Sequence, residues 1–136
     1  MKNLILTFAI ATTSLLSAQQ HQIEVEVTGF GNNKGAAMVG LYNTKASFLG
    51  KSWKSAKTVV KDKKTVVVFT DVPSGEYAVS MFHDENGNGK LDRNFVGIPK
   101  EGYGASNDAM GFMGPPKYDD AKFKLNSNKK IVIKIH

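Results

Sequence analysis

Between residues 84 and 92 the chain reads Asp84-Glu85-Asn86-Gly87-Asn88-Gly89-Lys90-Leu91-Asp92. Side-chain oxygens recur at every second position as far as Asn88. A glycine follows, and then another carboxylate. Calcium takes about six to eight oxygen ligands at roughly 2.3–2.6 Å, and a loop alternating ligand with spacer can wrap it. Counted from Asp84, the ligand positions 1, 3 and 5 are Asp84, Asn86 and Asn88. Gly89 stands at position 6, where the chain must bend sharply. Lys90 at position 7 offers its backbone carbonyl, leaving its charged side chain free for solvent. Asp92 at position 9 ligates directly or through water. Position 12 is Phe95, so the bidentate glutamate of an EF-hand is missing. A further ligand is expected from Asp108 or Glu101, with Asp119 and Asp120 behind them. Two loop carboxylates predict weak affinity, about 10⁻⁴ to 10⁻³ M. The competing reading is a bare polar turn, because Asn86-Gly87 and Asn88-Gly89 are both strong turn dipeptides.

Residues Phe95 to Tyr118 show no period. Glycines and prolines alternate there with Tyr103, Met110, Phe112 and Met113. Structureless loops longer than about 12–15 residues are uncommon in compact domains and usually functional or disordered. The aromatic residues and methionines argue against plain disorder. Tyr103, Phe112 and Met113 are therefore the candidate binding residues of a long glycine-rich loop, about 84–118. The alternative is a cap over an open end of the domain. Catalysis is not expected. His21 and His136 lie near the ends of the mature chain, and His83 and Asp84 are strand neighbours that point to opposite faces. Asp84 with Asp92 could imitate the carboxylate pair of a glycan-acting enzyme, but the Asn-Gly pattern between them suits a metal better.

The elements that must position this loop are strands. Ile23, Val25 and Val27 alternate with Gln22, Glu24 and Glu26, a half-buried pattern. Ala36 to Tyr42 is small and apolar, with Val39 and Leu41 on one face and Met38 and Tyr42 on the other. Asn43-Thr44 can cap a short helical turn through Phe48-Leu49. Trp53 is expected to fold back over the core edge among lysine stems. Thr58 to Lys61 reads as a short edge strand and Thr65 to Phe69 as a β-branched strand. Tyr77, Val79, Met81 and His83 share one face of the next strand. Lys122 to Leu125 and Ile131 to Ile135 predict a closing hairpin, turned at Asn126-Ser127-Asn128. About seven short strands, little helix and many turn residues predict an all-β antiparallel sandwich, immunoglobulin-like or transthyretin-like.

The chain has 136 residues, which suits one core. Residues 1–18 are expected to be a cleaved secretory signal. Lys2 is followed by apolar Leu4 to Ile10 and Leu15-Leu16, then small Ser17-Ala18. The single domain then runs over 19–136, and the protein is periplasmic or secreted. The stretch is too short and polar for a transmembrane helix. Cysteine is absent, which removes disulfides and thiolate metal sites. Without Lys2 the net charge of +6 becomes +5, concentrated in the lysine-rich stretch 51–64. That stretch reads as a solubilising surface, with weak attraction to anionic surfaces as the sharper possibility. Nucleic acid is not an expected partner, because export separates the two.

Phe69, Val72-Pro73, Gly75 and Tyr77 resemble the hairpin of transthyretin-like and collagen-adhesin B-type sandwiches. A longer likeness covers nearly all of the mature chain. His83 to Asp92, Gly97-Ile98-Pro99, Glu101 to Asn107 and Val72 to Tyr77 resemble an exported bacterial family, domain of unknown function 2141. The resemblance implies an exported β-sandwich and no particular activity. The expectation is an envelope binding or adaptor module with a calcium-stabilised loop, recognising an envelope protein or glycan. The alternative is a purely structural accessory domain.

Overall fold

In the computed structural model, residues 18–136 are described. Residues 1–17 of the expected 1–18 signal segment lie outside them. Among the described residues, eight strands form two sheets. They are β1 (Gln20–Thr28), β2 (Ala36–Tyr42), β3 (Lys54–Val59), β4 (Lys64–Pro73), β5 (Gly75–Asp84), β6 (Tyr103–Ala105), β7 (Phe123–Leu125) and β8 (Lys129–Lys134). The first sheet has the order β4-β1-β8, and the second β3-β2-β5-β6, with β7 also on β5. Among the described residues, one short α-helix, α1 (Tyr118–Ala121), joins them, with a 3-10 turn at Ser106–Asp108. The all-β sandwich expected from the alternation is the fold.

Alternation decides which face is buried. Ile23, Val25 and Val27 of β1 meet Val67, Phe69 and Ile133 of the first sheet and Val39, Leu41, Val79 and Met81 of the second in one core. The outer face of the second sheet has its own cover. Ala78, Ala105, Tyr118 and Ala121 pack together with Phe48. Phe48 stands edge-on to Tyr42 at 5.3 Å and to Tyr118 at 5.7 Å. The turn carrying Phe48 is capped as expected, Ser47 N–H donating to Thr44 Oγ1 at 3.2 Å. Trp53 is 40% exposed, tilted over Tyr77 at 5.9 Å, with Lys54 Nζ 5.1 Å from its ring centre.

Three expectations need correction. The last two strands are not a hairpin. β7 pairs with β5 in the second sheet, and β8 runs parallel to β1 in the first. The Asn126-Ser127-Asn128 turn carries the chain across the sandwich, and Asn128 Oδ1 accepts the amide of Gln22 at 2.9 Å. The Pro73-Ser74-Gly75 turn is also an arch between sheets, since β4 pairs with β1 and β5 with β2. Tyr77 fixes it, its hydroxyl donating to the carbonyl of Pro73 at 2.7 Å, as in the tyrosine corner of Greek-key sandwiches. The edge strand begins at Lys54 rather than Thr58, so part of the lysine-rich stretch is strand.

Candidate functional site

The loop begins where β5 ends. Asp84 is the last residue of that strand and fully buried. Its burial has an identifiable cause. Ala36 pairs with Asp84 across the β2–β5 ladder, and the turn before β2 presses directly on it. At Gly35, with φ of +60°, a Cβ would lie 1.9 Å from the carbonyl oxygen of Asp84. Only a glycine allows that approach.

From Asp84 the chain coils tightly. Gly89 N–H donates to Asp84 Oδ2 at 2.8 Å, joining positions 1 and 6. Gly87 and Gly89 both adopt positive φ, +72° and +75°. Asn86 Oδ1 accepts the amide of Asn88 at 3.2 Å, and Asn88 Oδ1 accepts that of Lys90 at 2.9 Å. These are successive Asx turns, the local conformation that asparagine favours. The amide groups of Asn86 and Asn88 donate to Asp92 Oδ2 and Oδ1, at 2.5 and 2.7 Å. Those bonds, Asn88 first, hold the Asp92 carboxyl below its usual range, since they favour the charged form.

Glu101 closes the loop from the other side. His83 N–H donates to the carbonyl of Gly102 at 2.8 Å, extending the β5–β6 pairing toward the loop. The buried Glu101 carboxylate then accepts the amide of Glu85 at 2.6 Å and that of Asp92 at 3.0 Å. One side chain therefore ties both ends of the turn. A surrounding shell supports it. His83 Nε2 is hydrogen-bonded to the carbonyl of Lys34 at 2.5 Å, its ring edge-on to Phe30. Asn32 Nδ2 donates to Glu85 Oε1 at 2.5 Å.

One atom is left over. Asp84 Oδ1 is buried without a hydrogen-bond partner among the described residues. An unpaired buried acceptor costs about 1–3 kcal/mol, more if charged. Among the described residues, no three His, Cys, Asp or Glu side chains are grouped tightly enough to hold a metal by themselves. A calcium site here would draw on Asp84, Asp92, the asparagine oxygens and the backbone at Lys90, which is exposed as expected. Glu101 would brace that set or join it.

The structure thus gathers Asp84, Asn86, Asn88, Lys90, Asp92 and Glu101. It does not bring Asp108 to them. The β5–β6 register pairs Phe82 with Tyr103 and Ser80 with Ala105, so the chain runs away from Asp84 before it reaches Asp108. Asp108 Oδ1 instead accepts the amide of Lys134 at 3.0 Å. Asp119 is also engaged elsewhere, paired with Lys45 at 2.8 Å. Tyr103 is a half-buried strand residue bonded to His136 in both directions, not part of a free loop. Phe112 and Met113 are 95% and 93% exposed beyond the 3-10 turn. Sequence reasoning missed Gly35 and Asn32, because only the β2–β5 pairing brings the segment before Ala36 against Asp84.

No curated protein and no solved structure matches the chain. Residues 25–133 match the family described as "Uncharacterized protein conserved in bacteria (DUF2141)", so nearly the whole sandwich, including the loop and Glu101, falls within the match, and the chain belongs to that family.

Proposed function

We propose that this protein is an exported envelope binding module whose 84–92 loop takes up a calcium ion. The observation that carries the ion is Asp84. One oxygen is fixed by the position-6 amide, and the other is buried with no partner among the described residues. A divalent cation at that oxygen offsets its desolvation. A binding role is favoured over catalysis because the other carboxylates are occupied. The Asp92 carboxylate accepts two side-chain amides and the Glu101 carboxylate two backbone amides, leaving neither poised to move a proton. Export is supported by the signal-like start of the sequence. Cleavage after Ala18 leaves β1, which begins at Gln20, intact. Intact-mass measurement of the envelope fraction is expected to show a chain beginning near Gln19.

Calorimetric titration of calcium into chelator-treated protein tests the loop. At about ten times the dissociation constant, calcium adds roughly 1.4 kcal/mol to folding stability, a rise of a few degrees in Tm. Asp84→Asn and Asp84→Ala should abolish the heat and the shift. Lys90→Ala should keep both, because that position contributes its carbonyl. Absence of any heat at millimolar calcium overturns the reading and leaves a structured polar turn.

A further inference from the structure

The segment after the loop is a small closed hairpin. Arg93 and Pro99 form a β-bridge. Asn94 N–H donates to the carbonyl of Ile98 at 2.8 Å, and Gly97 N–H to that of Asn94 at 2.9 Å. Asn94 Oδ1 accepts the amides of Val96 at 3.1 Å and Ile98 at 2.9 Å. The Arg93 guanidinium donates to the carbonyl of Gly97 at 3.0 Å. Lys100 N–H donates to the carbonyl of Asp92 at 2.8 Å, tying the hairpin to the ion loop. The turn thus satisfies much of its own backbone and is held in one shape.

Its apolar side chains are left in solvent. Phe95 is 100% exposed, Val96 63% and Ile98 59%. Single exposed apolar residues need no explanation, but three at one braced turn form a patch. The turn's internally bonded backbone is what an apolar medium requires of chain that enters it. At its base is an open concavity of about 430 Å³, lined by Glu85, Asn86, Asp92, Arg93, Lys100 and Glu101. Arg93 and Lys100 there suit a phosphate once a bound cation offsets the three carboxylates beside them. With an ion bound in the loop, charge favours the same occupant. From 84 to 101, four carboxylates (Asp84, Glu85, Asp92, Glu101) meet three cations (Lys90, Arg93, Lys100), so one calcium ion turns the local charge from −1 to +1.

We propose that the 93–99 hairpin docks on an anionic phospholipid surface. Phe95, Val96 and Ile98 enter the headgroup region, while Arg93, Lys100 and the loop calcium hold lipid phosphate. The calcium dependence rests on the ion site proposed above; the insertion rests on the hairpin itself.

The test is sedimentation of the mature protein with vesicles of phosphatidylcholine, alone or mixed with phosphatidylglycerol, in calcium or chelator. Calcium calorimetry runs beside it. Expected is binding to the anionic vesicles that calcium strengthens, with little binding to phosphatidylcholine. Phe95→Ser should weaken it about tenfold through lost apolar burial, and Arg93→Gln about fivefold. Phe95 is fully exposed, so its replacement leaves the core untouched. If Phe95→Ser binds as well as the parent, adsorption is through surface lysines and the docking proposal fails. No vesicle binding despite calorimetric calcium binding also overturns it, with the ion site standing. Phe95-dependent binding indifferent to chelator, with no calorimetric heat, keeps the docking and overturns the ion. If vesicles fail but Phe95→Ser abolishes self-association in sedimentation velocity, the turn is a protein interface and the lipid proposal is wrong.

Discussion

Glu101 commits both carboxylate oxygens to backbone amides, at Glu85 and at Asp92. Those residues stand at the two ends of the loop, so one side chain fixes its closure. Glu101→Ala removes both acceptors at once. Both amides are partly buried, and a buried amide left without a partner costs about 1–3 kcal/mol, so a loss of roughly 2 kcal/mol is expected. Glu101→Gln retains one acceptor and should lose about half as much. Urea midpoints at an unchanged m-value measure both. Equal stability of Glu101→Ala and the parent would show that the loop closes without it. The charge and spacing of Asp84, Asn86, Asn88 and Asp92 were legible in the sequence because the chemistry is local. Glu101 and Asp108 looked equivalent there. Only the β5–β6 register, which turns Glu101 toward the loop and Asp108 away, separates them.

At the scale of elements, the two sheets are stitched where β6 meets the end of β8. Tyr103 and His136 exchange backbone hydrogen bonds at 3.2 and 2.9 Å. Gly104 makes the approach possible, since a Cβ there would lie 2.6 Å from Ile133 Cγ2. Gly104→Ala therefore overpacks the seam and is expected to cost about 1–3 kcal/mol. Gly31→Ala is the control. It meets no atom within 4 Å and has no positive φ, so it should be neutral or slightly stabilising. Parallel denaturant melts check the pair, and an equal effect of both substitutions would refute the seam. Strand positions were readable because alternation survives in β1, β4 and β5. Partnership was not. The turns at Pro73–Gly75 and at Asn126–Asn128 use the residues of a tight hairpin, yet each crosses between sheets. A local turn signal records that the chain reverses, and says nothing about which sheet receives the next strand. Phe123 and Leu125 would bury one face under either pairing, so their pattern could not decide.

The molecule carries its surface charge in ways that make stability depend on pH at both ends. On the outer face of the first sheet, Glu26 lies 3.1 Å from Lys130 and 3.2 Å from Lys64. Lys130 foremost, then Lys64, hold its carboxyl below the ordinary 4.5. A depressed carboxylate contributes stability above its unfolded value and loses it as pH falls through the folded one. Asp119 behaves alike beside Lys45, from an ordinary value of 3.8. At the alkaline end Tyr118 is pushed up to about 12, by burial first and then by its bond to the Glu76 carboxylate. A raised tyrosine contributes stability below its ordinary value of 10.0 and loses it as pH climbs toward 12. These pairs therefore contribute fully across the neutral range, and their contribution falls on both sides. The acid pairs are exposed and screened by salt, so the acid fall should be shallow and weaker still at high ionic strength. Glu26→Gln should flatten the acid limb at low salt and trim the alkaline one slightly, because Glu26 also raises Lys130, whereas Tyr118→Phe should flatten the alkaline limb alone. Urea midpoints taken across the pH range separate the two, and a Glu26→Gln acid limb superimposing on the parent's would show that these ion pairs contribute nothing to the fold.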